Sequence, residues 1–218
     1  DDLDAIRASS EGARTGVVVG GGLLGLEAAN ALKSLGLAAH VVEFAPRLMP
    51  VQLDADGGAL LRHKIEELGV QVHTEKATTA IVEGKDARLR MNFSDESFLE
   101  TDLIVFSAGI RPQDALARAS GLEIGERGGI VINNHCTTSD PHVHAIGECA
   151  LWEQKIFGLV APGYTMARTL SAALNGDRET DFTGSDRSTN LKVLSVNVSS
   201  TGAAHATHPE AQNRRVTR

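Results

Sequence analysis

The chain has 218 residues, of which 42% are hydrophobic, enough to bury one large core or two small ones. Its net charge of −7, with no basic stripe along any readable helix, leaves nucleic acid and anionic membrane without an electrostatic footprint. No apolar run approaches the roughly 20 residues that a membrane helix needs, and DDLDAIRASS at the start lacks the regions of a signal peptide. Cys136 and Cys149 suit neither a disulfide framework nor a C-x-x-C dithiol, so the expected address is the cytoplasm.

In chain order, Leu3 and Ile6 among acids predict a short helix, and Ser9 to Thr15 a polar connector, together a linker. From Gly16 the pattern runs strand (GVVVG), glycine turn, helix (LLGLEAANALKSLG, stopped by Gly36) and strand (LAAHVVE), which is a βαβ unit. Its strands carry unbroken apolar runs and are expected to be buried on both faces. A second helix follows in ADGGALLRHKIEELG, with Leu60, Leu61, Ile65 and Leu68 at helical spacing, then a short strand VQVH. Residues 77–100 break the rhythm with a small antiparallel meander, its turns near Gly84-Lys85-Asp86 and Asp95-Glu96. DLIVFSAGIRP predicts a buried strand, and ALARASGLEI a short helix stopped by Gly121, with a domain boundary near Arg111. Two short strands around a Ser-Asp-Pro turn at 139–141 come next, then a helix over 161–175 with Pro162 at its start and Gly176 beyond its end. LKVLSVNVSS alternates as a lone strand, and the tail after it has few large apolar side chains and is expected to be disordered. The fold class is α/β, a Rossmann-like arrangement of parallel sheet and helices with a small antiparallel β-meander.

Gly20, Gly22 and Gly25 form G-x-G-x-x-G in the right setting, after a strand and opening a helix. The first glycine permits the tight turn, the second lets backbone approach a pyrophosphate, and the third lets helix and strand pack closely. The helix N-terminus at Leu23 and Leu24 offers free N–H groups to phosphates. Glu43 ends the second strand, 23 positions after Gly20, where an acid accepts hydrogen bonds from the adenosine ribose and repels a 2′-phosphate. The preference is NADH over NADPH, with Arg47 offsetting part of the repulsion; the bland reading of Glu43 is an exposed acid at a strand end. Glu27, one turn into the helix, is either a surface acid favoured by the helix dipole or an acid facing the cofactor cleft. S-adenosylmethionine is the competing ligand for the same glycines.

The order G-G-G-x-x-G-x-E, V-V-E, A-G-I-R-P and T-T-S-D-P-x-x-x-A-I-G-E-C-A resembles the pyridine nucleotide-dependent flavoprotein reductases. More closely, VVEFAPRLMPVQLD, LRHKIEELGVQVHTEK, GECALWEQKIFGLVAPGY and STNLKVLSVNV resemble the large subunit of assimilatory NAD(P)H nitrite reductase, over residues 1 to about 202. The resemblance implies an NAD(H) domain at 13–111 inserted into an FAD domain whose first half is absent from this chain. Residues 1–12 are then the connector from that half, 112–180 the returning half, and 181–218 the poorly ordered start of a following domain. Gly147 and Glu148 match the Gly-Asp that holds the flavin in the family, with Glu148 one methylene longer. Ala108, Gly109, Arg111 and Pro112 match the segment near nicotinamide and flavin, and Ala161, Pro162 and Gly163 the start of the helix approaching the isoalloxazine.

The implied reaction is hydride transfer from NADH to FAD, a matter of positioning rather than acid–base chemistry. Downstream iron–sulfur and sirohaem domains would reduce nitrite, and their ligands cannot be built from Cys136 and Cys149. Two alternatives stand beside this reading: a rubredoxin or ferredoxin reductase-type flavoprotein, and a catalytically silent nucleotide-binding module. The returning half should expose apolar surface meant for its partner, which predicts self-association into a homo-oligomer.

No metal site is expected. His135, Cys136, His142, His144 and Cys149 fit no zinc spacing; His142 and His144 should flank a buried strand residue, and Cys149 reads as a small buried side chain. Arg62, His63, Lys64, Glu66 and Glu67 read as a solvated helix face.

Overall fold

A computed structural model describes residues 2–177, 179–185, 189–193 and 196–200. The chain forms two compact units, the first comprising Asp1–Gly109 and regaining the chain at Ser188, the second Ile110–Arg187. In the first unit, α1 (Asp2–Ser10) precedes β1 (Thr15–Val19). Read from sequence as a linker, α1 is fastened to this unit: Ile6 packs against the core, and the Arg88 guanidinium donates to the carbonyls of Ser9 and Glu11 at 3.3 and 3.2 Å.

The βαβ unit continues through α2 (Leu23–Ser34) to β2 (Ala38–Val42), and α3 (Ala55–Glu67) leads to β3 (Gln71–His73). Asp54 caps α3, its carboxylate accepting from the Gly57 amide at 2.8 Å, the usual answer to unpaired first-turn N–H groups. Of the leucines at helical spacing, Leu61 is buried with Ile65, whereas Leu60 points outward at 55% exposure. The charged face of α3 does more than meet solvent, because Arg62 also donates to the Val72 carbonyl and the Thr74 hydroxyl, at 3.1 and 3.2 Å.

The meander comprises β4 (Thr78–Glu83), β5 (Leu89–Phe93) and β6 (Phe98–Thr101), paired antiparallel about β5; β7 (Leu103–Phe106) then returns to the main sheet. That sheet is parallel in the order β3-β2-β1-β7. The unbroken apolar run of β1 follows from two covered faces. Val18 joins Val41, Leu26, Leu32, Leu61 and Ile65 in one core, and Val17 joins Val42, Met91 and Phe93 in the other. β7 was expected to be buried throughout, but it is the edge strand, and Phe106 at its end is 65% exposed.

The second unit contains α4 (Ala115–Ala119), β8 (Ile130–Val131), a 3-10 turn at Gly147–Cys149, β9 (Ala150–Leu151) and α5 (Val160–Leu174). Its core gathers Ile132, Cys136, Met166 and three aromatic rings, with Phe182 edge-on to Trp152 and Phe157 at 5.1 and 5.7 Å between centroids, the favoured geometry for the ring quadrupoles. Burial pushes the Cys136 thiol up to about 11, so it stays a protonated packing group. Two expectations fail here. Val143, between His142 and His144, is 39% exposed because it sits in the 138–143 turn rather than in a covered strand, and Cys149 is only half-buried.

After the second unit, β10 (Thr189–Val193) and β11 (Val196–Ser200) pair antiparallel as a hairpin, not as one lone strand. Val196 and Val198 pack against the main core of the first unit. The tail predicted to be disordered, 201–218, lies outside the described residues. Among the described residues, no helix is long and apolar enough to cross a membrane.

Candidate functional site

A cleft of about 650 Å³ opens at the carboxyl ends of β1, β2 and β7, where open parallel sheets hold their ligands. Gly20 and Gly22 line it after β1, Glu43 and Phe44 after β2, and Ser107, Ala108 and Gly109 after β7; Pro50–Gln52 and Lys76–Thr78 close the rim. The parallel register explains the convergence, since Val19 stands beside both Val42 and Phe106 and all three strands end at one level. Hydrogen bonds from the Gly20 amide to the Val42 carbonyl and from the Ser107 amide to the Val19 carbonyl, both 2.8 Å, fix the floor.

The glycines have distinct physical duties. Gly20 holds φ 118°, and a β-carbon there would lie 2.3 Å from the Ser107 carbonyl oxygen. A β-carbon on Gly25 would lie 1.8 Å from the Gly20 carbonyl oxygen, which only the absence of a side chain avoids. At Gly22, by contrast, an added carbon would meet no protein atom within 4 Å. This glycine therefore leaves open space in the cleft at the start of α2, where first-turn amides lack helical acceptors.

Glu43 is half-buried, and its carboxylate braces the turn, accepting from the Gly21 amide at 2.5 Å and from the Ala45 amide at 2.7 Å. Each oxygen retains a lone pair for another donor. The Gly21 carbonyl in turn accepts from the Met49 amide at 2.9 Å, tying the glycine loop to the 45–53 segment. Lys76 follows through its amide, which donates to the Glu43 carbonyl at 3.0 Å. Its ammonium is committed to Asp95 and to Ser97 Oγ and lies 5.5 Å from the Phe93 centroid. That partnership holds the Asp95 carboxyl down at about 2. The Thr78 hydroxyl oxygen is buried without a hydrogen-bond partner among the described residues.

The remaining candidates scatter. Leu23 packs its side chain toward the core, Leu24 is 58% exposed, and only their amides belong to the helix start. Glu27 is exposed on α2 and does not line the cleft. Nor does Arg47, whose Nε donates to the Leu53 carbonyl at 3.1 Å while its stem lies over Gly58. In the second unit, Gly147 adopts φ 81° at the 3-10 turn and its amide donates to the Met166 sulfur at 3.3 Å. Glu148 beside it is exposed. At Gly163, early in α5, an added β-carbon would make ordinary van der Waals contact with Gly147 Cα, at 3.5 Å. No group of three metal-binding side chains forms among the described residues.

Sequence reasoning overlooked Phe44, Gln52, Lys76 and Thr78 as cleft residues. Phe44 had a usable signal, as the residue directly after the strand-end acid. The others reach the cleft through loop returns and β2–β3 pairing, which leave no local pattern.

The family described as pyridine nucleotide-disulphide oxidoreductase matches residues 1–173. The chain is 64% identical over 213 residues to the nitrite reductase [NAD(P)H] large subunit of Klebsiella oxytoca, covering 98% of this chain and 22% of that protein. It is 55% identical over 214 residues to the nitrite reductase (NADH) large subunit of Escherichia coli, covering 98% and 25%. It thus spans about a quarter of the length of these relatives. A solved NAD-dependent persulfide reductase from A. fulgidus superposes with a TM-score of 0.83 at 30% identity, covering 92% of this chain and 38% of that one. An FAD-dependent oxidoreductase from Desulfovibrio vulgaris superposes with a TM-score of 0.73 at 30% identity, covering 88% and 51%. By glycine fingerprint, sheet order and a family match covering most of its length, the chain belongs to the pyridine nucleotide-disulphide oxidoreductases, enzymes that use NAD(P)H and FAD.

Proposed function

We propose that the chain is the NADH-binding part of a cytoplasmic flavin-dependent reductase of the nitrite reductase type. The observation that carries this is the cleft beside Gly22, where glycine leaves room at a helix N-terminus and Glu43 stands at the end of β2. These residues fit a dinucleotide. The first-turn amides of α2 would receive the pyrophosphate, and the free lone pairs of Glu43 would accept the adenosine ribose hydroxyls. The same carboxylate disfavours a 2′-phosphate, and both nearby cations are already engaged with the protein. Arg47 is held at the Leu53 carbonyl and Lys76 at Asp95.

In the second unit, Gly147 and Glu148 would hold part of a flavin: the glycine leaves open space at a positive φ, and the glutamate carboxylate is exposed beside it. When bound, the flavin accepts hydride from the nicotinamide and passes the electrons on. The chain's own residues bind and orient; among the described residues lining the cleft, none are arranged as a general acid–base pair. Nitrite as final acceptor is favoured over a rubredoxin by similarity, 64% identity to a nitrite reductase subunit against 33% to the rubredoxin-NAD(+) reductase of Alcanivorax borkumensis.

Titration of the purified chain with NADH and NADPH, followed by addition of FAD and a dye acceptor, tests the proposal. Saturable NADH binding at least about tenfold tighter than NADPH, a gap of about 1.4 kcal/mol, is expected. Absence of NADH binding refutes the reading. Binding without NADH oxidation in the presence of FAD makes the isolated chain a silent nucleotide-binding module.

A further inference from the structure

The family match ends at residue 173, yet the first unit continues beyond it. The β10–β11 hairpin (Thr189–Val193 and Val196–Ser200) returns to the first unit, with Val196 and Val198 packed on its main core. At the end of β11 the Ser200 hydroxyl donates to the Gln52 carbonyl at 2.8 Å, across 148 residues of sequence. Gln52 lines the cleft, between Val51 at its rim and Leu53, whose carbonyl holds Arg47. The amides of Gln52 and Leu53 both donate to the Met49 carbonyl, at 3.0 and 2.9 Å, and the Met49 amide donates to the Gly21 carbonyl. One chain of contacts therefore runs from Ser200 through the 49–53 turn to the glycine loop.

We propose that this hairpin is a working part of the dinucleotide-binding unit and that Ser200 is a positioning residue for its adenosine side. The hydroxyl acts through Gln52, holding the Pro50–Gln52 rim beside Glu43 and Phe44. Two features favour positioning over general stabilisation. Ser200 engages a backbone carbonyl of a cofactor-facing turn rather than the core, and the apolar anchoring is done separately by Val196 and Val198. The proposal rests on the assignment of the cleft to NADH, and its test has an arm independent of that assignment.

The test uses the full chain with Ser200→Ala and Ser200→Thr, the latter keeping the hydroxyl. Amide hydrogen exchange is read at Gln52 and Leu53, and affinity is measured for NADH and for AMP, which carries only the adenosine half. In Ser200→Ala, exchange at these two amides is expected to rise severalfold while β1 and β2 stay protected. NADH and AMP should weaken by the same factor, about threefold to tenfold, the scale of one hydrogen bond, and Ser200→Thr should restore both readouts. Unchanged exchange in Ser200→Ala overturns the proposal. So does a rise that extends equally through β1 and β2, which marks a merely structural role, and so does a loss of NADH affinity that AMP does not share. Failure of the unaltered chain to bind NADH or AMP refutes the cleft assignment instead, and the exchange measurement still decides whether the hairpin holds the rim.

Discussion

Replacing Glu43 with alanine removes two things at once, and the structure allows each to be sized. The carboxylate accepts from the Gly21 and Ala45 amides at 2.5 and 2.7 Å. Hydrogen bonds to a charged group are worth about 1.5–3 kcal/mol each, and the half-exposure of this carboxylate moves the value toward the low end. With both bonds at that low end, the variant should lose about 3 kcal/mol of stability. It should also lose about 1–3 kcal/mol of NADH affinity, about fivefold to 150-fold, since the ribose acceptor disappears and the loop presenting α2 loosens. NADPH should suffer less, because the charge that repels its 2′-phosphate goes too. Glu43→Gln separates the two effects. It keeps one oxygen for a backbone amide but places an NH₂ donor against the other, so the turn weakens while side-chain volume is retained. Titration calorimetry with both nucleotides, beside thermal melts, gives the readout. An NADH affinity within about twofold of the unaltered chain at an unchanged melting temperature would refute both the ribose role and the bracing role.

Three further outcomes follow from the geometry. Gly25→Ala puts its new carbon 1.8 Å from the Gly20 carbonyl oxygen, so the strand and helix must separate and stability should fall by about 3 kcal/mol or more; a normal denaturant midpoint would contradict the packing described. The same chemical change at Gly22 meets open space and should leave the melting temperature nearly unchanged while weakening NADH at least about tenfold, so unaltered binding would sink the pyrophosphate assignment. His40 and His73 stack with ring nitrogens 3.1 Å apart. Burial, and then the His73 ring, holds His40 below the ordinary imidazole value, and burial followed by Lys76 and Arg62 does the same to His73. The unfolded chain therefore binds more protons at these sites. Their contribution is complete above about pH 6.5 and is lost as pH falls below it, at up to about 1.4 kcal/mol per pH unit per histidine. Melts from about pH 7.5 down to 5.5 should show this slope, and an identical slope in a His40→Gln, His73→Gln variant would exclude the pair as its source.

What the sequence revealed and what it concealed divide by range. The turn at Gly20 is readable because its backbone requirement is local: a strand must reverse into a helix at φ 118°, which favours glycine; the Ser107 carbonyl 2.3 Å from any β-carbon there is a second, long-range reason that no local pattern carries. The unbroken GVVVG run likewise reported burial on both faces, though not what covered them; Met91 and Phe93 of the meander do so on one side. Spacing singles out Glu43 but not its two backbone partners, because Gly21 reaches it only after β1 and β2 pair in register. Arg47 shows the converse. Proximity in sequence suggests a cation for the cofactor, whereas the described contacts of Arg47 are with the Leu53 carbonyl and with Gly58, outside the cleft lining.

The hairpin carries this furthest. Alternation in LKVLSVNVSS announced an extended segment with one apolar face, but an apolar face names no partner. The core receiving Val196 and Val198 is built from residues before Gly109, and the carbonyl receiving Ser200 belongs to Gln52, 148 residues away. Such a contact has no periodic signature, yet it bears on the rim of the same cleft that the glycines announced. The boundary of the binding unit is thus set by which backbone groups hold the rim in place, and Ser200 lies inside that boundary although the family match stops at residue 173.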